Sequence, residues 1–169
     1  CGDKAGAISE KRKAISKKIS SELIKTLASL GIDNAAFEVK LKNTESLTDY
    51  LWVNGKKLKY NSDGVDEVEF YISTNAGEDV KPLIKVASGG EISRIMLSIK
   101  SILAKSDKLP LLIFDEIDTG VSGRIAQKVG NALKDLAGYH QIIAITHLPQ
   151  IAGLAHHHYV VEKGKQDER

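Results

Sequence analysis

The run Leu111-Leu112-Ile113-Phe114, followed directly by Asp115-Glu116, constrains this chain more than any other feature. Four apolar residues in a row do not alternate, so the segment reads as a strand buried on both faces, the kind found in parallel sheets covered by helices. The flanks agree. A helix is expected from near Ser88 to about Lys105, with Ile92, Ile95, Met96, Ile99, Ile102 and Leu103 as its buried stripe. Pro110 restarts the chain ahead of the apolar run. A second helix, from about Ser122 to Leu136, shows Ile125, Val129, Leu133 and Leu136 and stops at Gly138. Gln141-Ile142-Ile143-Ala144-Ile145 repeats the buried-strand pattern. Thr146-His147 and a short helix opened by Leu148-Pro149 follow it, and Tyr159-Val160-Val161 closes the pattern as a further strand. Strands alternating with helices argue for a parallel α/β architecture.

The first half has a different grammar. Ile8, Ile15, Ile19, Leu23, Leu27 and Leu30 lie on one face of a helix that Gly31 stops. The same stretch carries Lys11, Arg12, Lys13, Lys17 and Lys18 against Glu10 and Glu22, which reads as a solvated face or as a phosphate-binding patch. Its narrow stripe also suits the stump of a coiled coil. From Ala36 the period becomes two, with Phe37, Val39 and Leu41 alternating with charged residues. Asn54-Gly55 between Leu51-Trp52-Val53 and Lys57-Leu58-Lys59-Tyr60 signals a tight hairpin. The turn Asn61-Ser62-Asp63-Gly64 leads into Val68, Phe70 and Ile72. An antiparallel meander is the expected result. Trp52 beside Tyr50 can stack on a base or pack within the hairpin.

The 169 residues allow one domain, and a net charge of +2 makes any nucleic-acid claim depend on local clusters. The lone Cys1 forms no internal disulfide, which suits a reducing cytoplasm. No apolar run approaches the roughly 18 residues of a membrane span. Met96 is the only methionine, so the chain reads as a piece of something longer. Fraying is expected after Lys163. His156-His157-His158 reads as a surface turn, with a metal tract as the alternative.

Chemistry concentrates in the second half. Asp115-Glu116 stands at the carboxyl end of a buried strand, the edge where open α/β sheets bind ligands. In this Walker B arrangement the first acid holds Mg²⁺ and the second orients or deprotonates water; the plainer alternative is an acid that caps the next turn. Ala87-Ser88-Gly89-Gly90-Glu91 precedes a helix, so free amides, a hydroxyl and the positive end of a helix dipole converge there. Ser88 and Glu91 also have the spacing of a capping box. Thr146-His147 adds polar groups at the end of the next strand.

Three segments carry a resemblance. They are Val86-Ala87-Ser88-Gly89-Gly90-Glu91-Ile92-Ser93-Arg94-Ile95, Ile113-Phe114-Asp115-Glu116-Ile117-Asp118-Thr119-Gly120-Val121-Ser122-Gly123 and Thr146-His147-Leu148-Pro149-Gln150-Ile151-Ala152. In order and spacing they resemble the second half of an ABC-type ATPase, and more closely the RecN family of bacterial SMC-like DNA-repair proteins. Asp66-Glu67-Val68-Glu69-Phe70, Thr74-Asn75 and Tyr159 extend the likeness, which holds from about residue 36; the first helix matches only in kind. The resemblance implies the C-terminal half of an ABC/SMC-type P-loop NTPase head. Residues 1–31 would end a coiled-coil arm and residues 32–169 would form the C-terminal head lobe.

The same resemblance implies roles. Ser88, Gly89, Gly90 and Glu91 would form the signature motif, touching ATP held by an opposite protomer. Asp115 would hold Mg²⁺ through water, and Glu116 would be the catalytic base. Asp118 would lie in the D-loop, residues 118–123, at a dimer seam, and His147 would be the switch histidine. Partners would be the protein's own N-terminal head lobe, a second copy through ATP-sandwiched heads, and DNA, in the cytoplasm at the nucleoid and without a membrane. Ala87 departs from the leucine of the wider ABC signature, which weakens packing behind the motif. These residues contain no G-x-x-x-x-G-K-[ST], the loop that binds β- and γ-phosphates. The chain by itself is therefore expected to be inactive, and ATP hydrolysis belongs to the full-length protein. Another SMC-like head lobe and a non-catalytic dimerisation module are the rival readings.

Overall fold

The structure, a computed structural model, describes residues 1–86 and 88–162. The expected weakness behind Ala87 and the fraying after Lys163 lie outside those residues. Helix α1 spans Gly2–Ser29, and its chain turns away at Gly31. Its second half packs: Leu23 and Leu27 are fully buried with Leu30 just beyond. Its first half does not follow the expected stripe, because Ile8 and Ile15 are exposed while Ala5 and Ser9 are buried. Small side chains face the hairpin there and the larger ones face solvent.

Strand β1 (Ala36–Lys42) pairs antiparallel with β4 (Glu67–Ser73), and β4 pairs with the short β5 (Lys81–Pro82). Between them β2 (Tyr50–Val53) and β3 (Lys56–Lys59) form a separate two-stranded hairpin. The antiparallel sheet is present, but the hairpin stands out of it, so β1 neighbours β4 and not β2. Asn54 at φ 49° and Gly55 at φ 80° make the turn expected from the Asn-Gly pair. Asn61 and Gly64 close the next turn through reciprocal backbone bonds of 2.9 and 3.2 Å. Val68, expected inside, is exposed, whereas Ile72 is fully buried.

Helix α2 (Gly89–Leu103) joins the two halves of the molecule: Ile95 packs with Leu23, Phe37 and Ile72, and Leu97 packs with Leu112, Phe114 and Val129. Strand β6 (Leu111–Phe114), helix α3 (Gly123–Leu136), strand β7 (Gln141–Ala144) and helix α4 (Pro149–Ala152) complete the α/β part. β6 and β7 are parallel, with Leu111 opposite Gln141 and Phe114 opposite Ala144. The expectation that these strands are buried on both faces fails. Leu112 and Phe114 are buried against the helices, while Ile113 is 62% exposed, as are Leu111, Ile143 and Ile145 in lesser degree. One sheet face is covered and the other is not. Tyr159, Val160 and Val161 are exposed and form no strand. His156, His157 and His158 are also exposed. Among the described residues no helix is long and apolar enough to cross a membrane.

Candidate functional site

The parallel pair β6–β7 sends its two carboxyl ends to one edge, and Asp118 ties them together. Its carboxylate is 5% exposed and accepts the Thr146 hydroxyl at 2.5 Å and the His147 backbone N–H at 2.9 Å. The His147 ring lies against the same oxygen, Nδ1 at 3.1 Å, with its side chain 77% exposed. Burial acts to raise the Asp118 pKa. The hydrogen bonds from Thr146 and His147, aided by the charge of the histidine ring, outweigh it and hold the carboxyl below its ordinary value. A buried carboxylate thus fixes the backbone from which an exposed imidazole projects.

Asp115 and Glu116 stand exposed at the end of β6. Asp115 Oδ1 accepts the Glu116 backbone N–H at 2.8 Å. Glu116 has φ 55°, a left-handed backbone that a non-glycine residue adopts at a cost. Ile117, the next residue, is fully buried.

The start of α2 faces this loop. Ser88 is its N-cap and accepts the Glu91 backbone N–H at 3.4 Å. The other arm of the expected capping box is not made, because Glu91 Oε2 accepts the Thr74 hydroxyl at 3.2 Å. Ser93 donates to the Asp115 carbonyl at 2.5 Å and Arg94 to the Thr119 carbonyl at 2.7 Å. The two glycines permit the approach. A Cβ on Gly89 would fall 1.9 Å from Glu116 Oε2, and one on Gly90 would fall 2.8 Å from Thr119 Cβ and 2.9 Å from its carbonyl oxygen. Ser88-Gly89-Gly90, Asp115, Glu116 and Thr119 therefore meet within a single chain, while Asp118 and His147 form the neighbouring pair.

The sequence reading gave Arg94 no role. It is 6% exposed, burial lowers its pKa with Glu91 in partial opposition, and Nε has no hydrogen-bond partner among the described residues. A cation between Ile92 and Ile95 on the core side of a helix was the available signal. The basic cluster of α1 is largely engaged: Arg12 pairs with Asp66 at 2.9 Å, Lys13 with Glu10 at 2.8 Å and Lys18 with Glu22 at 4.0 Å. Among the described residues no group of three or more His, Cys, Asp or Glu side chains forms a metal cluster.

No family model matches the chain. It is 43% identical over 159 residues to the DNA repair protein RecN of Halalkalibacterium halodurans, covering 94% of this chain and 26% of that protein. To RecN of Bacillus subtilis it is 41% identical over 167 residues, or 98% and 29%. The chain thus spans less than a third of the length of these curated relatives. Among solved structures, the Smc head domain of Pyrococcus furiosus, with an extended coiled coil, superposes with a TM-score of 0.53 at 22% identity, covering 88% of this chain and 35% of that one. The Smc head of Pyrococcus yayanosii gives 0.55 at 21%, with 89% and 26%. The second pair establishes the fold and the first pair the kinship: over nearly its whole length this chain is similar to part of the DNA repair protein RecN, in a fold shared with Smc head domains.

Proposed function

We propose that the chain supplies one half of a composite ATP site in a RecN-like protein that works on DNA double-strand breaks and in recombination, in the cytoplasm at the nucleoid. The observation that carries this reading is the convergence of Asp115, Glu116, Asp118 and His147 on the carboxyl edge of β6 and β7, beside the amino end of α2. Open parallel sheets bind nucleotides at that edge.

Each residue has work suited to its setting. Asp115, exposed and with one oxygen held by the Glu116 amide, fits a hydrated Mg²⁺, which prefers one or two carboxylates and keeps several waters. Bound there, the ion would supply charge neutralisation for phosphate oxygens. Glu116, with no ion pair among the described residues, accepts the proton of an attacking water. His147 projects a ring donor from a backbone that Asp118 holds rigid. Ser88, Gly89 and Gly90 offer a hydroxyl and amides at a helix start to a phosphate of the nucleotide held by a second copy. Glu91, bonded to Thr74, secures that start. The Glu116 carboxylate now lies against Gly89, so it must leave that cradle when a nucleotide enters on either side.

The uncovered sheet face of Leu111, Ile113, Ile143 and Ile145 receives the N-terminal lobe with its phosphate-binding loop. Helix α1, whose Ile8 and Ile15 face solvent, is the end of the coiled-coil arm within residues 1–31. Both partners lie in the part of the protein that this chain does not span.

Two substitutions in the full-length protein test the assignment. Glu116→Gln removes the proton acceptor but keeps the size, so ATP should bind, turnover should fall roughly 10²-fold or more, and head dimers should accumulate. Ser88→Arg should leave binding intact and prevent the dimer. Light scattering with ATP distinguishes them; equal dimerisation would remove Ser88 from the seam.

A further inference from the structure

The hairpin β2–β3 has two unlike faces. Its inner face carries Leu51, Val53 and Leu58, packed with Ala5 of α1 and with Val65. Its outer face is set by the register, which places Tyr50 opposite Lys59 and Trp52 opposite Lys57. That face contains two aromatic rings, two ammonium groups and no aliphatic side chain. Trp52 is 58% exposed. The Tyr50 and Trp52 rings meet edge to face at 6.1 Å and 86°, and Lys57 Nζ lies 4.8 Å from the first ring centroid and 5.5 Å from the second.

Residues 50–60 hold three lysines and no acid. Lys56 reaches Glu45 at 3.9 Å, but Lys57 and Lys59 make no ion pair among the described residues. An indole in edge contact with a neighbouring ring, with Lys57 over both rings and Lys59 opposite Tyr50, fits a partner that offers flat π-faces and regularly spaced negative charge.

We propose that this outer face binds single-stranded DNA, with a base stacked on Trp52 and backbone phosphates on Lys57 and Lys59. Bases in a duplex are hidden by their own stack, whereas a single strand presents every base to an aromatic platform regardless of sequence. In the α1 cluster Arg12, Lys13 and Lys18 are already paired, and among the described residues Lys11 and Lys17 have no aromatic ring beside them on which a base could stack. The proposal rests on the DNA reading above and names the surface that serves it.

The test uses the full-length protein and fluorescence polarisation of labelled oligothymidine and of a duplex of equal length, over a range of salt. Trp52→Ala should weaken oligothymidine binding roughly 5- to 100-fold, as loss of one stacked base does, while Trp52→Phe stays within about threefold of wild type. Duplex affinity should be unchanged. Lys57→Gln with Lys59→Gln should reduce the slope of log K against log salt by about 1.4, two phosphates at about 0.7 each. If wild type binds and neither variant changes affinity or slope, or if both substrates weaken equally, the hairpin assignment falls and the DNA reading stands. If wild type binds neither substrate, the DNA reading itself fails. Normal DNA binding with a lost protein contact would make the hairpin a protein surface.

Discussion

Replacing Asp66 by alanine removes the acceptor that fastens helix α1 to the rest of the lobe. This carboxylate is 5% exposed and accepts Ser9 Oγ at 2.7 Å, Arg12 Nη1 at 2.9 Å and Asn43 Nδ2 at 3.0 Å. Arg12 continues to the Asp63 carbonyl at 2.7 Å and Asn43 to the Val65 carbonyl at 2.8 Å, so one residue gathers α1, the residue just after β1 and the turn ahead of β4. Burial acts to raise its pKa, and the bonds from Ser9, Asn43 and Arg12 outweigh that and lower it. Breaking a buried charge pair costs about 3–5 kcal/mol. Arg12 is partly exposed and regains water, which puts Asp66→Ala near the lower end, about 3 kcal/mol. For a chain of this size that corresponds to a loss of roughly 6–12 °C in Tm. Urea unfolding of the chain, followed by the fluorescence of Trp52, its only tryptophan, reads the effect beside the start of α1. The midpoint should fall with an unchanged slope. In a double-mutant cycle with Arg12→Ala, the two costs should fall short of additivity by roughly 1–2 kcal/mol. An Asp66→Ala loss below about 0.5 kcal/mol, or full additivity with Arg12→Ala, would refute the anchoring role.

Asp118→Asn keeps one carbonyl oxygen for Thr146 or the His147 amide and should cost about 2 kcal/mol near pH 7. Because the folded pKa of Asp118 lies below the ordinary value, its contribution is complete above about pH 5 and fades as pH falls through the unfolded and then the folded pKa. Thermal melts of wild type and variant should therefore converge as pH falls below the ordinary carboxylate range, and a constant gap down to acid unfolding would contradict the pairing. Gly90→Ala drives a methyl into Thr119 backbone and should cost about 1–3 kcal/mol, while Gly89→Ala meets only the mobile tip of Glu116 and should be nearly neutral. The reverse ranking in urea unfolding would show that the α2 start does not seat on the 116–119 loop.

Local chemistry settled much of this molecule from the sequence. The Asn54-Gly55 turn, the alternation of β1, the helices at 89–103 and 123–136, and the parallel pair with acids at its end all follow from short-range sterics and hydrophobic period. The candidate site residues stood out for the same reason: Ser88 to Glu91, Asp115, Glu116 and His147 sit at element ends, and ends are marked by local signals. Tertiary structure decided what those signals face. Burial depends on which surfaces arrive from elsewhere in the chain, so Ile113 and Ile143 lie on an open sheet face although their strands read as fully buried. The hairpin stands apart from β1 because its apolar residues meet Ala5 and Val65. The seating of Gly90 on Thr119, the threefold grip on Asp66 and the burial of Arg94 arise from contacts between residues from 23 to 57 positions apart, and the left-handed Glu116 stands directly before the buried Ile117. Dihedral preferences act over neighbours and packing acts over space, and only the folded chain brings the second to bear on the first.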